Sequence, residues 1–250
     1  ILKQFNGCCF ADLDLKQQGV IEDFQLLFYI IQPPTPERVK YDIFDRVNRG
    51  GTPLNKQEMR NALYRGRCTR MLDKLCCSPE FLIATGRSIN KERMKDQYVV
   101  LRAMAFLMLH RGEFKDIPAL QYRGDIDDFL ARFMVYVNDN APEKLIVDYE
   151  NLFIRCMQIS YDLLGENGFR FSGNGIRRPI NMPLFEALSY LFSFVPEKID
   201  YTWVSRLILD IESVKEEFDD SRYFSGNIDS TTSVSFRFDR MDKIINRIQL

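Results

Sequence analysis

Histidine is nearly absent from this sequence of 250 residues, in which His110 is the single example. Any mechanism that needs two histidines within the chain is therefore excluded. His110 follows an apolar segment with helical periodicity, so the sequence places it at the C-terminal end of a helix. A lone histidine in that position is more often a cation favoured by the helix dipole than a catalyst. We expect His110 to be such a cation.

Long apolar runs and an excess of one charge are also missing. The longest apolar run, residues 103–109, is far shorter than the roughly 18 residues of a membrane-spanning helix, so no membrane span is predicted. Lysine and arginine number 34 against 35 acidic residues, which leaves a net charge of −1. A surface for nucleic acid or an anionic membrane usually carries a cationic excess. The composition therefore gives no global electrostatic reason to expect such a partner, and a local basic patch stays open.

The cysteines lack the spacing of a metal site. No CxxC pair occurs, and no histidine or carboxylate accompanies the cysteines in a zinc-ligand pattern. We expect reduced thiols in a cytoplasmic protein, because structural disulfides are rare there. The first residues include no initiator methionine and lack the features of a signal peptide. We therefore expect the chain to begin within a longer protein.

One segment near the N-terminus has the composition of a strand. Residues 19–32 are rich in aromatic and β-branched side chains and stop at Pro33 and Pro34. We predict a strand over 24–31, and its nearly continuous apolar character predicts burial on both faces. Such a strand needs partners that this short region can hardly supply. Missing sheet partners are therefore expected.

Helical periodicity dominates the remainder of the chain, and the fold class predicted is mainly α, or α+β overall, with a bundle-like helical body. We assign residues 1–66 to the end of a first domain and 67–250 to a helical domain. Asn55 and Asp125 are predicted helix caps, Asn55 with Glu58 forming a capping box. The clearest helices are predicted at 91–110, 125–137, 142–164, 183–194, 201–218 and 234–248.

The most informative stretch runs from Ile43 to Leu63 and contains Gly50 and Gly51 followed by the capped helix. Glycines permit positive φ and close backbone approach, and the free N–H groups of a helix N-terminus can hold an anion. A phosphate cradle is one interpretation. A tight loop followed by an N-capped helix, with no ligand, is the commoner interpretation when the residues are considered alone.

This stretch resembles the pattern F-x-R-x-N-x-G-G-x-x-L-x-x-x-E-x-R-x-A of a bacterial family of domains of uncharacterised function. That family supplies the N-terminal part of GmrSD-type modification-dependent restriction enzymes. Further agreement lies at Phe81, in the helix from Arg93 to Phe106, and in the segment ending at Arg240. The matching residues are Phe44, Arg46, Asn48, Gly50, Gly51, Leu54, Glu58, Arg60 and Ala62.

The resemblance implies a ParB-like (sulfiredoxin-like) domain whose D-G-Q-Q-R motif is associated with nucleotide hydrolysis and control of DNA cleavage. That motif is absent here, so we expect it upstream of Ile1, with residues 24–31 as the last strand of that domain. This chain alone is then expected to have no complete active site. The intact protein would use a nucleoside triphosphate, with magnesium, and would act with DNA, a nuclease subunit or a second copy of itself.

The same resemblance assigns nucleotide contacts to the loop and the start of the helix: Asn48, Arg49, Gly50, Gly51 and Glu58. ParB-like proteins carry a glutamate just before this asparagine, where Val47 stands here. That departure weakens a metal-holding role for the loop. The alternative function is a non-catalytic scaffold or interaction module built on a degenerate ParB-like domain. The nuclease domain with a His-Asn-His motif that some members carry would need more than one histidine.

Basic residues outside this stretch give two candidate nucleic-acid contacts. Arg177 and Arg178 end a glycine-rich loop that contains aromatic residues, a composition able to grip a nucleic-acid backbone. Arg237, Arg240 and Arg247 are spaced to form one stripe along the last helix. An ordinary connector and a solvated helix face are the commoner interpretations of these two features.

Arg102 interrupts an otherwise apolar helix, and a buried arginine must be paired. We predict an ion pair with a carboxylate from a neighbouring helix, with a phosphate contact as the alternative.

Overall fold

The computed structural model describes residues 5–28, 30, 32, 37–48, 53–172, 177–196, 201–224 and 226–248. Within these residues the structure is mostly helical, with short 3₁₀ turns between α-helices, which confirms the mainly α prediction. The α-helices in chain order are α1 (Leu15–Glu22), α2 (Glu37–Asn48), α3 (Lys56–Leu63), α4 (Arg67–Cys76), α5 (Pro79–Ala84), α6 (Lys95–His110), α7 (Ile126–Asp139), α8 (Glu143–Leu164), α9 (Met182–Phe192), α10 (Tyr201–Asp219) and α11 (Thr231–Ile248).

Residues 24–28 and 30, the described part of the predicted strand, form neither strand nor helix. Their apolar side chains are exposed, from 66% for Leu26 to 80% for Leu27 and Ile30. The prediction of a strand buried on both faces is therefore not met in this chain. A β-strand exists through hydrogen bonds to a neighbouring strand, and the described residues contain none that could pair with it.

The chain divides into two compact units, Ile1–Phe44 and Asp45–Leu250. The domain boundary predicted after Gly66 lies C-terminal to this division between Phe44 and Asp45. Helix α3 belongs to the second unit because Met59 and Arg60 are buried and the helix packs against α6. In the first unit, α1 is capped by Asp14, whose carboxylate accepts a hydrogen bond from the backbone N–H of Gln17 at 2.8 Å.

Helix α6 is the centre of the second unit. Every residue from Val99 to Met108 is buried, as expected for a helix that is apolar around its whole circumference. It packs against α4, α7, α8 and α9, and α9 in turn contacts α8 and α11. Helix α9 is buried along its length from Pro183 to Phe192. The two buried helices form the core, and longer amphipathic helices cover them.

The helix boundaries predicted from periodicity agree with the structure within a few residues, and both predicted caps are confirmed. The Asn55 side chain accepts hydrogen bonds from the backbone N–H groups of Gln57 and Glu58 at 2.8 and 2.9 Å. Asp125 accepts from the N–H of Asp128 at 3.1 Å. Among the described residues, no helix is both long and apolar enough to cross a membrane.

Candidate functional site

A cleft of about 510 Å³ opens where the start of α3 meets the segment that leads into α6. The residues that line it include four cations, Lys56, Arg60, Arg93 and Lys95, together with the ring of Tyr98. Both walls belong to the second unit. Asn55, the first residue in sequence that lines the cleft, follows shortly after the Asn48–Gly51 motif.

The wall of the cleft formed by the segment that leads into α6 contains a strained backbone turn. Arg93 (φ 56°, ψ 30°) and Met94 (φ 58°, ψ 33°) both adopt the left-handed conformation, which costs a non-glycine residue about 1–3 kcal/mol. Helix α3 holds this turn in place. The Asn55 side-chain amide donates to the carbonyl of Arg93 at 2.6 Å, and the Arg93 guanidinium donates to the carbonyl of Pro53 at 2.6 Å. Such strain persists only where the surroundings enforce it, and it clusters at functional sites.

Glu58, a predicted nucleotide contact, serves the architecture of this wall. Its carboxylate accepts from the backbone N–H of Asn55 at 2.6 Å and from the Arg93 guanidinium at 3.1 Å. The hydrogen bond from the Asn55 backbone lowers the pKa of Glu58. Burial opposes this with a smaller effect, and the hydrogen bond and charge of Arg93 lower the pKa further. The side chain of Asn48 and residues 49–52 lie outside the described residues. The predicted roles of Asn48, Arg49, Gly50 and Gly51 therefore stay predictions.

Arg60 lies in the floor of the cleft and is only 1% exposed. Its guanidinium donates to Gln57 at 2.9 and 3.0 Å and to Asp127 at 2.8 Å. Asp127 also accepts from Lys56. Burial acts to raise the pKa of Asp127, but the hydrogen bonds and charges of Lys56 and Arg60 outweigh it and lower the pKa below its ordinary value.

The charges around the cleft favour an anion. Four cations line it, and the carboxylates near them are Glu92 in the lining and Asp127 and Glu58 behind it. The lining itself therefore carries four cations and one carboxylate, Glu92. A helix N-terminus with positive partial charge lies beside these side chains. Sequence reasoning missed Tyr98 and Lys95, because no local pattern indicates that residues 90–98 face the start of α3.

The predicted nucleic-acid contacts at the surface are paired with acids. Arg177 contacts Glu166 at 2.6 Å and Arg178 contacts Asp219, and both arginines are partly exposed. Arg240 donates to Glu217 at 3.0 Å, and Arg247 lies 3.4 Å from Asp210. The neighbouring acids neutralise much of the local charge. A role of these residues in DNA binding stays a prediction.

Arg237 does not belong to the surface stripe predicted along α11. It is fully buried, because the face of α11 that carries it packs on α9 and also buries Phe238 and Met241. Its guanidinium donates to Glu186 at 2.6 Å and to the carbonyl of Ile228 at 2.7 Å. The assignment of Arg237 as an exposed contact is therefore corrected. It is part of a buried ion-pair cluster.

The predicted ion pair of Arg102 is confirmed within the same cluster. Arg102 donates to Glu186, which is fully buried on α9, and to Asp229 at 2.6 Å. Desolvation acts to lower the pKa of Arg102, but the charges of Glu186 and Asp229 raise it well above the usual value. We call Arg102, Glu186, Arg237 and Asp229 the buried cluster. With two arginines and two acids, the cluster has no net formal charge.

His110 is not the helix-terminal cation that the sequence predicts. Its ring stacks on Phe238, with centroids 3.6 Å apart and planes 11° from parallel. Burial, and then the charge of Arg237, lower its pKa from 6.5 to about 3. The imidazole is therefore neutral at pH 7. Packing of α11 over the end of α6 overrides the preference of the helix dipole for a cation.

The described cysteines are free thiols, and Cys68, Cys76 and Cys156 are buried. Burial raises the pKa of each of these three thiols, to about 12 for Cys156, which makes them unreactive. Three or more potential metal ligands do not come together anywhere among the described residues. No protein-family model, no curated protein and no solved structure matches this chain.

Proposed function

We propose that this chain is the helical part of a cytoplasmic, nucleotide-dependent protein of the DNA-restriction or antiphage type, and that its cleft receives the nucleotide's phosphates. The observation that carries the proposal is the basic cleft beside the N-terminus of α3. The cleft follows the N-x-G-G motif, which resembles the nucleotide-binding family described above. Phosphate is the ligand chemistry that such a surface suits, because charge-assisted hydrogen bonds from guanidinium groups are the strong ones.

In this proposal, Arg60 and Lys95 contact phosphate oxygens, while Glu58 and Arg93 hold the strained wall that shapes the cleft. Asn48, Arg49 and the backbone of Gly50 and Gly51 complete the phosphate contacts. The hydrolysing D-G-Q-Q-R motif belongs to a segment outside this sequence, together with its magnesium. The helices would relay the nucleotide state to DNA or to a nuclease partner.

Titration calorimetry of the 250-residue chain with inorganic tripolyphosphate and with ATP tests the proposal. Lys95→Ala removes an exposed cation from the cleft and should weaken tripolyphosphate binding by about twofold to fivefold, the range for one screened charge. Lys144→Ala is the matched control, because Lys144 is also exposed and lies in the first turn of a helix, α8, outside the cleft. Equal affinities of both variants, or no binding by the parent, would contradict the proposal.

The loop is tested separately with Arg49→Ala and Gly51→Val. Arg49→Ala should lose one charge-assisted contact of about 1.5–3 kcal/mol, and Gly51→Val should block the backbone conformation required. Circular dichroism establishes that both variants are folded. If they bind as tightly as the parent, the loop is only a turn.

A scaffold or interaction module is the second candidate, and one observation favours it. Five apolar side chains between residues 24 and 30 are at least 66% exposed: Phe24, Leu26, Leu27, Phe28 and Ile30. Contiguous exposed apolar side chains usually mark an interaction surface. If the chain binds neither ATP nor tripolyphosphate, and replacement of these five residues by serine abolishes association with a partner or a second copy, this candidate is the better one.

A further inference from the structure

Tyr98 lies between the floor of the cleft and the buried cluster. Its ring lines the cleft, and the Arg60 guanidinium carbon lies 5.3 Å from the ring centroid. One turn further along α6, the guanidinium of Arg102 lies 5.6 Å from the same centroid and donates to the Tyr98 hydroxyl at 3.1 Å. One side chain therefore contacts an arginine of the cleft and an arginine of the core.

Arg102 is itself immobilised by the buried cluster. Four of its five N–H groups have acceptors: Glu186, the hydroxyl of Tyr98 and both carboxylate oxygens of Asp229. Arg102 is 1% exposed, so water does not compete for these bonds. The Tyr98 hydroxyl is thus hydrogen-bonded to an arginine that several other partners hold, which restricts the position of the Tyr98 ring.

Arg60 retains donors that its protein partners do not use. Among the described residues, Gln57 and Asp127 accept from three of its five N–H groups. The other two have no acceptor among the described residues, and although Arg60 is only 1% exposed it is among the residues that line the cleft. An arginine whose orientation is set before the ligand arrives loses less side-chain entropy on binding, which strengthens the complex. Tyr98 supplies the aromatic surface against which this guanidinium rests.

We propose that Tyr98 is a positioning residue of the cleft, whose ring holds Arg60 ready for a phosphate-type anion and whose hydroxyl anchors that ring to the buried cluster. This role rests on the proposed function, because it acts on the same cleft. It predicts that the ring and the hydroxyl of Tyr98 have separate effects. The ring determines anion affinity through Arg60, and the hydroxyl contributes to the stability of the core.

The test compares tripolyphosphate affinity and chemical denaturation for the parent and a set of variants. Tyr98→Leu removes the ring and should weaken binding by about threefold to tenfold, the range of a cation–π contact. Tyr98→Phe retains the ring, so its affinity should stay within about twofold of the parent while its stability falls, since Arg102 loses an acceptor. Tyr98→Met is a second ringless variant, used if Tyr98→Leu does not fold.

Arg60→Met separates positioning from a general structural effect. It removes the guanidinium and should weaken binding by about tenfold to a hundredfold. If Tyr98 acts through Arg60, adding Tyr98→Leu to Arg60→Met weakens binding no further, because interacting residues are not additive. Tyr122→Phe is the matched control: the Tyr122 hydroxyl bonds the carbonyl of Asp229 and Tyr122 does not line the cleft. Its affinity should equal that of the parent.

Three outcomes overturn parts of this scheme in distinguishable ways. A parent that binds no tripolyphosphate overturns the proposed function and this role with it. A parent that binds, with folded ringless variants that bind equally well, overturns the role of Tyr98 alone. Additive losses in the double variant, or an equal loss in Tyr122→Phe, would mean that the ring acts through general stability and not through Arg60.

Discussion

Residues 5–44 and residues 45–250 both contain many apolar side chains, but they use them in opposite ways. In the first region α1 buries no residue, and Phe24, Leu27 and Phe28 are 69–80% exposed. In the second region ten consecutive residues of α6, Val99 to Met108, are buried. Apolar composition alone therefore does not produce a core. Side chains must also belong to elements that pack against neighbouring elements.

Packing partners explain more of the difference than element length, since α3 has 8 residues like α1 and still buries Met59 and Arg60. Helix α1 has 8 residues, whereas α6 has 16 and α8 has 22. Isolated helices below about 12–15 residues are marginal, and packing of a long apolar face supplies most helix stability in proteins. Helix α6 has α3, α4, α7, α8 and α9 as helical neighbours to provide such packing.

The largest effect expected is a contrast between the same substitution in the two regions. Phe106→Ala should lower the free energy of unfolding by about 3–5 kcal/mol, because Phe106 is fully buried and its ring lies 5.2–5.6 Å from those of Tyr122, Phe129 and Phe238. Phe28→Ala should change it by less than about 0.5 kcal/mol, since that ring is 75% exposed. Chemical denaturation measures both. Equal losses of unfolding free energy in the two variants would contradict the expected difference between the two regions.

A second contrast lies within residues 45–250, between a buried and an exposed acid. Glu186→Gln leaves Arg102 and Arg237 without their shared carboxylate and should cost about 3–5 kcal/mol. Glu217→Gln makes the same chemical change at a 37% exposed partner of Arg240 and should cost about 0–1 kcal/mol. Denaturant midpoints of the two variants give the comparison. A small loss for Glu186→Gln would show that the arginines find other partners.

The neutral state of His110 predicts a pH dependence that originates in the second region. The imidazole has a pKa near 6.5 in the unfolded chain and about 3 in the folded protein, so the unfolded state binds more protons between these values. Stability from this group is therefore present above pH 6.5 and is lost as the pH falls toward 3, by roughly 4 kcal/mol.

His110→Phe keeps an aromatic ring against Phe238 and removes the titration. The difference in unfolding free energy between parent and variant should change steeply between pH 6.5 and 3. Parallel curves for the two proteins across that range would mean that His110 is protonated in the fold.

The smallest effect is expected from deletion of residues 1–36. Among the described residues, the buried apolar cluster that begins at Tyr64 is built from residues of the second unit. The shortened chain should therefore unfold within about 0.5 kcal/mol of the parent in chemical denaturation. A loss comparable to that of Phe106→Ala would show that the division between the two regions is not an energetic one.

Local sequence signals were sufficient for the helices and their caps. Helical periodicity predicted α6, α8 and α11 within a few residues, and Asn55 and Asp125 cap their helices as their chemistry requires. Each of these features depends on residues within one or two turns of each other. The strand prediction at 24–31 is not met for the complementary reason, because a strand depends on a partner elsewhere in the chain.

The sequence by itself determined the long helices of the second unit to within a few residues, the caps Asn55 and Asp125, and that a buried Arg102 needs an anionic partner, because a buried charge must be paired. Only the tertiary structure decided that the carboxylate is Glu186, that Arg237 shares it from inside α11, and that His110 is neutral beneath Phe238. It also brought residues 90–98 against the start of α3 to form the cleft. These contacts join residues about forty to more than a hundred positions apart, and their identities follow from how whole helices pack, which no local pattern records.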